Sequence, residues 1–108
     1  MGSLGALFPD WRTVDVIEYF LLHEHSEQNQ KDICESLTIY PAPMSKILHH
    51  LEWLGLIRET RRIAKSRFFT LDKSSRLIEP LRALMDQFDH EYSLKIVKED
   101  KKDLDSKI

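Results

Sequence analysis

Ala42, Ser45, Lys46 and His49 recur at intervals of three and four, the spacing that gathers side chains on one face of a helix. Three of them bring hydrogen-bonding groups: a hydroxyl, an ammonium and an imidazole. No nucleophile and base here is tied to a cleft motif, so bond-breaking chemistry is not expected of this face. It can instead donate hydrogen bonds to acceptors in a groove, and the short side chains at its start let the helix come close to the groove floor. Met44, Ile47, Leu48, Leu51 and Leu54 fall on the other face, where they would hold the helix against a core. A helix lying in the major groove of DNA needs both faces.

Such a helix has to be positioned by neighbours, and residues 33–57 read as two short helical patterns joined by Tyr-Pro-Ala-Pro. The pattern predicts a helix over about 30–37, capped by Asn29 with Asp32 in its first turn. Ile33 and Leu37 would point inward with Cys34 beside them. Pro41 and Pro43 are compatible with the start of the next helix, because the first turn leaves its amides unpaired in any case. Gly55 is the expected stop. Upstream, 10–23 reads as a helix with a buried stripe of Val14, Ile17, Phe20 and Leu21, and with Phe8 and Trp11 stapling its start.

Downstream, 56–59 and 67–71 have strand character, and the intervening 60–66 is expected to be the tip of a hairpin, basic through Arg61, Arg62 and Lys65. Ile57, Phe69 and Leu71 would face the core and Phe68 the opposite side. From about residue 74 a last helical pattern begins. Leu77, Leu81, Leu84, Met85, Phe88, Tyr92 and Ile96 are its expected dimer stripe: the early ones can also reach the domain, but Phe88, Tyr92 and Ile96 extend further than a globule of about 70 residues could cover, so a partner helix is expected there. Pro80 puts the start of that helix near Glu79 or kinks it a turn earlier. Beyond Val97 the chain is nearly all charge and is expected to fray. The organisation expected is a DNA-binding domain over 8–76, a dimerisation helix over 77–97 and a charged tail over 98–108.

The formal net charge is −2, which is unhelpful for a polyanion binder until it is resolved along the chain. Residues 1–39 carry two basic against seven acidic side chains, a net of −5. Residues 40–76 carry eight basic against three acidic, a net of +5. The basic excess therefore coincides with the paired helices and the hairpin, the footprint of a phosphate-contacting surface to which Arg58 and Arg67 also belong.

With 108 residues and 42% hydrophobic content the chain suits one compact domain with an appendage. No run approaches the roughly 18 apolar residues of a membrane span, and the first residues lack the basic stretch of a signal peptide. A soluble, cytoplasmic protein is expected. A single cysteine excludes an internal disulfide and suits a reducing compartment. A glycine-rich phosphate loop is absent, and neither His23 with His25 nor the adjacent His49 and His50 has the geometry of a ligand set. No enzyme activity, metal or cofactor is expected.

From residue 14 to 84 the order helix, helix, helix, two-stranded hairpin, helix resembles the winged-helix transcription regulators, particularly the small MarR-like and ArsR-like proteins of archaea and bacteria. The residues that carry the resemblance are Lys31-Asp32-Ile33, Met44-Ser45-Lys46-Ile47-Leu48 with Leu51, Gly55-Leu56-Ile57 and Arg67-Phe68-Phe69-Thr70-Leu71. It implies a mainly α fold with a small β-hairpin and a long C-terminal helix that dimerises. It also implies that Tyr40, Ala42, Pro43, Ser45, Lys46 and His49 approach bases or phosphates. Arg61, Arg62 and Lys65 would then reach the adjacent minor groove or backbone. ArsR-like metal sensors carry paired cysteines, whereas Cys34 stands alone.

Sequence-specific regulation by a homodimer on double-stranded DNA is the leading expectation. An architectural or partition protein with little sequence preference is the alternative within DNA binding. A winged helix that uses the same surface to bind protein is the rival from another class.

Overall fold

One helical turn, α1 (Leu4–Leu7), precedes Asp10, whose carboxylate accepts from the amides of Arg12 at 2.8 Å and Thr13 at 3.2 Å. Those are two of the donors a helix start leaves open, so Asp10 sets where α2 (Trp11–Leu22) begins. The computed structural model describes residues 4–106, and the side chains of residues 4–98. Helix α2 buries Thr13, Val16, Ile17, Phe20 and Leu21. Val14, expected within that stripe, is exposed: it lies at one edge of the arc centred on Ile17 and Phe20, and Val16 supplies the other edge. Trp11 is also exposed, so it does not staple the helix start, and Phe8 is half-buried.

A two-residue strand, β1 (Gln28–Asn29), leads into α3 (Gln30–Leu37), with the Asn29 side chain accepting from the Lys31 amide at 3.0 Å. Ile33 and Cys34 are buried in α3, while Leu37, expected in the core, is half-buried at the helix end. Thr38 ends α3 in the left-handed region, φ 55°, and the Ile39 amide reaches back to the Cys34 carbonyl at 3.1 Å. This closes the turn in three residues.

Helix α4 (Pro41–Trp53) starts with Pro41 and Pro43 in its first turn, where they forfeit no hydrogen bond. Met44, Ile47, Leu48 and Leu51 are buried, and Leu54 at the cap is half-buried. Gly55 adopts φ 79°, which an L side chain would resist. Its amide donates to Glu52 O and the next amide, Leu56, to Leu51 O, both at 3.0 Å, a Schellman closure in which Leu51 and Leu56 are both buried.

The chain then forms β2 (Ile57–Ile63) and β3 (Ser66–Leu71), a hairpin with Ala64 and Lys65 at its tip. Both strands are longer toward the tip than the sequence pattern indicates, because ladder hydrogen bonds carry pairing through residues with no apolar alternation. Strand β1 adds to the free edge of β3, with Gln28 opposite Phe69, so the sheet has three antiparallel strands in the order β1-β3-β2. Ile57, Phe69 and Leu71 are buried as expected.

Residues up to Ser75 form one compact unit and those from Arg76 another. The second is the single helix α5 (Ile78–Ser106), with Pro80 in the first turn. It continues past Val97, where fraying was the expectation. Its backbone is helical to Ser106, consistent with the Lys, Glu, Asp and Leu of that stretch, of which Lys, Glu and Leu are good helix formers. The side chains of residues 99–108 lie outside the described ones. Among the described residues no helix is long and apolar enough to cross a membrane.

Candidate nucleic-acid interface

The outer face of α4 follows from its buried one. Ala42, Ser45, Lys46 and His49 are exposed, Pro43 is half-buried, and Tyr40, the N-cap residue, whose side chain makes no cap bond, is 83% exposed. Trp53 continues the same face at the C-terminal end. Gln30 of α3 donates its side-chain amide to Ser45 Oγ at 2.8 Å, which ties the two helices together and leaves the Ser45 hydroxyl proton free to donate outward.

The hairpin divides its basic residues between two faces. A one-residue bulge at Thr60 puts Glu59 opposite Phe69 but Arg61 opposite Phe68 and Arg62 opposite Arg67. Cross-strand partners share a face, so Arg62, Arg67 and Glu59 lie on the side of Phe69, and Arg61 lies on the other with Phe68. Strict alternation from Ile57 would have put Arg61 and Arg62 the other way round.

On the inner side Arg67 donates to Glu59 at 2.9 Å and to Glu52 of α4 at 3.2 Å, and its guanidinium lies 4.8 Å from the centre of the Phe69 ring. Arg62 donates to Glu59 at 3.1 Å. The hydrogen bonds from Arg67 and then Arg62 hold the Glu59 carboxyl below its usual range. On the outer side Arg61 donates to Glu27 at 2.6 Å and stacks at 4.4 Å over Phe68. The Thr60 hydroxyl, and after it Arg61, hold Glu27 low against the effect of burial. Arg67 is half-buried, so it braces the hairpin on α4 with its charge already answered.

Lys46 on α4 and Lys65 at the hairpin tip are exposed with no ion-pair partner among the described residues. Arg58 is exposed near Asp72, which hydrogen bonds from Ser74 and the charge of Arg58 hold low. An open cleft of about 790 Å³ separates Lys65 from the turn between α3 and α4, lined also by Lys31, Cys34, Tyr40 and Ser45. Cys34 is buried, and burial pushes its thiol pKa up, so it stays protonated at neutral pH. Among the described residues no three His, Cys, Asp or Glu side chains converge as a metal site would require.

The residues expected to act together on α4 therefore do share one surface, and Lys65 stands across the cleft from it. Arg61, Arg62 and Arg67 are in the hairpin but are tied to acids. Glu27, Glu52 and Glu59, which meet arginines, and Thr60, which donates to Glu27, were missed from the sequence, since strand register and bulge bring them together.

On the second unit, Leu84, Phe88 and Tyr92 are each more than half exposed, and the Phe88 and Tyr92 rings stack at 5.8 Å. Leu81 and Met85 on the same helix are half-buried, and Leu77 and Ile96 are exposed.

No protein-family model matches the chain, and none of the curated proteins matches it in sequence. Among solved structures it is similar to MepR, crystallised as a point mutant from a multidrug-resistant S. aureus clinical isolate. The identity is 18% and the TM-score 0.61, over 90% of this chain and 72% of MepR. Five helices with a small antiparallel sheet among the described residues, together with this likeness, make the fold a winged helix similar to that of MepR.

Proposed function

We propose that the protein is a DNA-binding transcription regulator that acts as a homodimer, with α4 in the major groove and the hairpin wing on the adjacent minor groove and backbone. The observation that carries this is the outer face of α4. Ala42, Ser45, Lys46 and His49 are exposed together, and the one acid on the helix, Glu52, is bonded to Arg67. A face that is small, donor-rich and free of uncompensated negative charge suits base edges and phosphates. The MarR-type fold shared with MepR is consistent with this use.

Dimerisation rests on α5. Leu84, Phe88 and Tyr92, with Leu77, Leu81, Met85 and Ile96, form an apolar stripe suited to the same stripe of a second copy. Two copies would offer two α4 helices to successive major grooves.

Sequence-specific regulation is favoured over architectural binding by the ion pairs of the wing. Binding without preference draws its affinity from many phosphate contacts, and here Arg61, Arg62 and Arg67 are engaged with Glu27, Glu59 and Glu52. Lys46, Arg58 and Lys65 in each of two protomers would give a slope of log K against log salt of about −5. The test is binding to native upstream and to random duplexes over a salt series, with the mass in solution measured alongside. A dimer that prefers one upstream fragment supports the proposal. Steep salt loss without preference favours an architectural protein, and no binding at low salt favours a protein-interaction module.

A further inference from the structure

Trp53 is 76% exposed at the end of α4, and the DNA-binding reading above is the ground on which its role is argued. At about 100° per residue, Ala42, Lys46, His49 and Trp53 fall within an arc of about 60°, with Trp53 between Lys46 and Ala42. The indole is thus in the middle of the outer strip, not on its border with the core. What sets Trp53 apart from the comparably exposed Trp11 is its place on this polar strip, where an indole offers an apolar face and an N–H donor to the same partner. His50 stacks beside it, ring centres 6.2 Å apart and planes 23° from parallel, which restricts the indole before any partner arrives.

The strip from Ala42 to Trp53 rises about 16 Å, longer than the roughly 12 Å width of the major groove. If the start of the helix reads bases, the far end meets the sugar-phosphate wall. We infer that Trp53 is a DNA contact at that wall: its ring packs on a deoxyribose and its Nε1–H donates to a phosphate oxygen. The indole is neutral and displaces no counterion, so this contact adds affinity that salt does not screen. Lys46, two turns earlier on the same strip, has the opposite signature.

The experiment uses the full chain with Trp11→Phe, which leaves Trp53 as the single indole. The probe is the native upstream duplex of about 30 base pairs, long enough for two half-sites one turn apart. On saturation the Trp53 emission is expected to change, and Trp53→Ala in the otherwise unaltered protein is expected to bind about tenfold more weakly. Its salt slope and its mass in solution are expected to equal those of the parent. Trp53→Phe, which keeps a ring but loses the donor, is expected to fall between.

Unchanged emission at saturation together with parental affinity of Trp53→Ala would overturn the inference. So would a halved mass for Trp53→Ala, which would assign the indole to a contact between copies. If the Trp11→Phe parent itself fails to bind at low salt while remaining folded, the DNA reading fails first, and Trp53 falls with it.

Discussion

Arg67 is where the structure departs furthest from a plain count of basic residues, and Arg67→Met isolates the reason. The guanidinium bridges Glu59 of β2 and Glu52 of α4 at 2.9 and 3.2 Å, with all three side chains only 25–28% exposed. A charge-assisted hydrogen bond contributes about 1.5–3 kcal/mol when well shielded. Partial solvent screening reduces that, and methionine preserves much of the packing over Phe69. The net loss is expected to be about 2 kcal/mol. For a cooperative unit of this size each kcal/mol moves the melting temperature by about 4–8 °C, so a fall of about 10 °C is the expected reading. Glu52→Gln weakens one of the two bonds and should cost about half as much. In a double-mutant cycle, Arg67→Met with Glu52→Gln should therefore be less destabilising than the two single losses added. Thermal melts by circular dichroism and the salt dependence of DNA binding are measured on the same variants. An unaltered melt accompanied by a flatter salt slope would refute the argument, because it would make Arg67 a phosphate contact and not a brace.

Thr38 and Ala64 both sit at positive φ, 55° and 54°, where residues with a Cβ are strained. Thr38→Gly is expected to stabilise by about 1 kcal/mol and Ala64→Gly by a similar amount or less, read from denaturant midpoints. Glu59 and Glu27 have folded-state pKa values below their ordinary 4.5, so the stability they supply is complete above that value and is lost as pH falls through their lower folded values. Melting temperature should therefore be level above about pH 5 and drop below 4.5, and Glu27→Gln with Glu59→Gln should flatten the drop. Lys46→Ala or Lys65→Ala should each flatten the salt slope of a dimer by about 2, while Ser45→Ala and His49→Ala should narrow the preference between duplexes. Glu27→Gln, by releasing Arg61, should tighten binding to random duplex at low salt; a weaker complex would show that Glu27 acts chiefly by holding the wing in place.

Elements whose residues repeat with a structural period are legible along the chain alone. Met44, Ile47, Leu48 and Leu51 mark α4 because burial on a helix recurs every three or four residues, and the same regularity places Ala42, Ser45, Lys46 and His49 outside. Asn29 and Gly55 mark helix ends because the chemistry of a cap is local. Where the period was ambiguous the reading slipped: Val14 and Val16 lie at opposite edges of the buried arc of α2, and which edge is covered is settled by what α2 packs against.

The electrostatics of the wing arise only on folding. Glu27 and Arg61 are 34 residues apart, and Arg67 lies 15 residues from Glu52. Their meeting depends on strand register, on the bulge at Thr60 and on the addition of β1 to the sheet. A two-residue strand has no alternation to betray it, and a bulge exchanges the faces of Arg61 and Arg62 without altering composition. Charge counted along a chain gives the field a segment would have if nothing answered it. Folding brings the answering carboxylates within hydrogen-bond distance, and so leaves Lys46 and Lys65, more than Arg61, Arg62 and Arg67, as cations open to a partner.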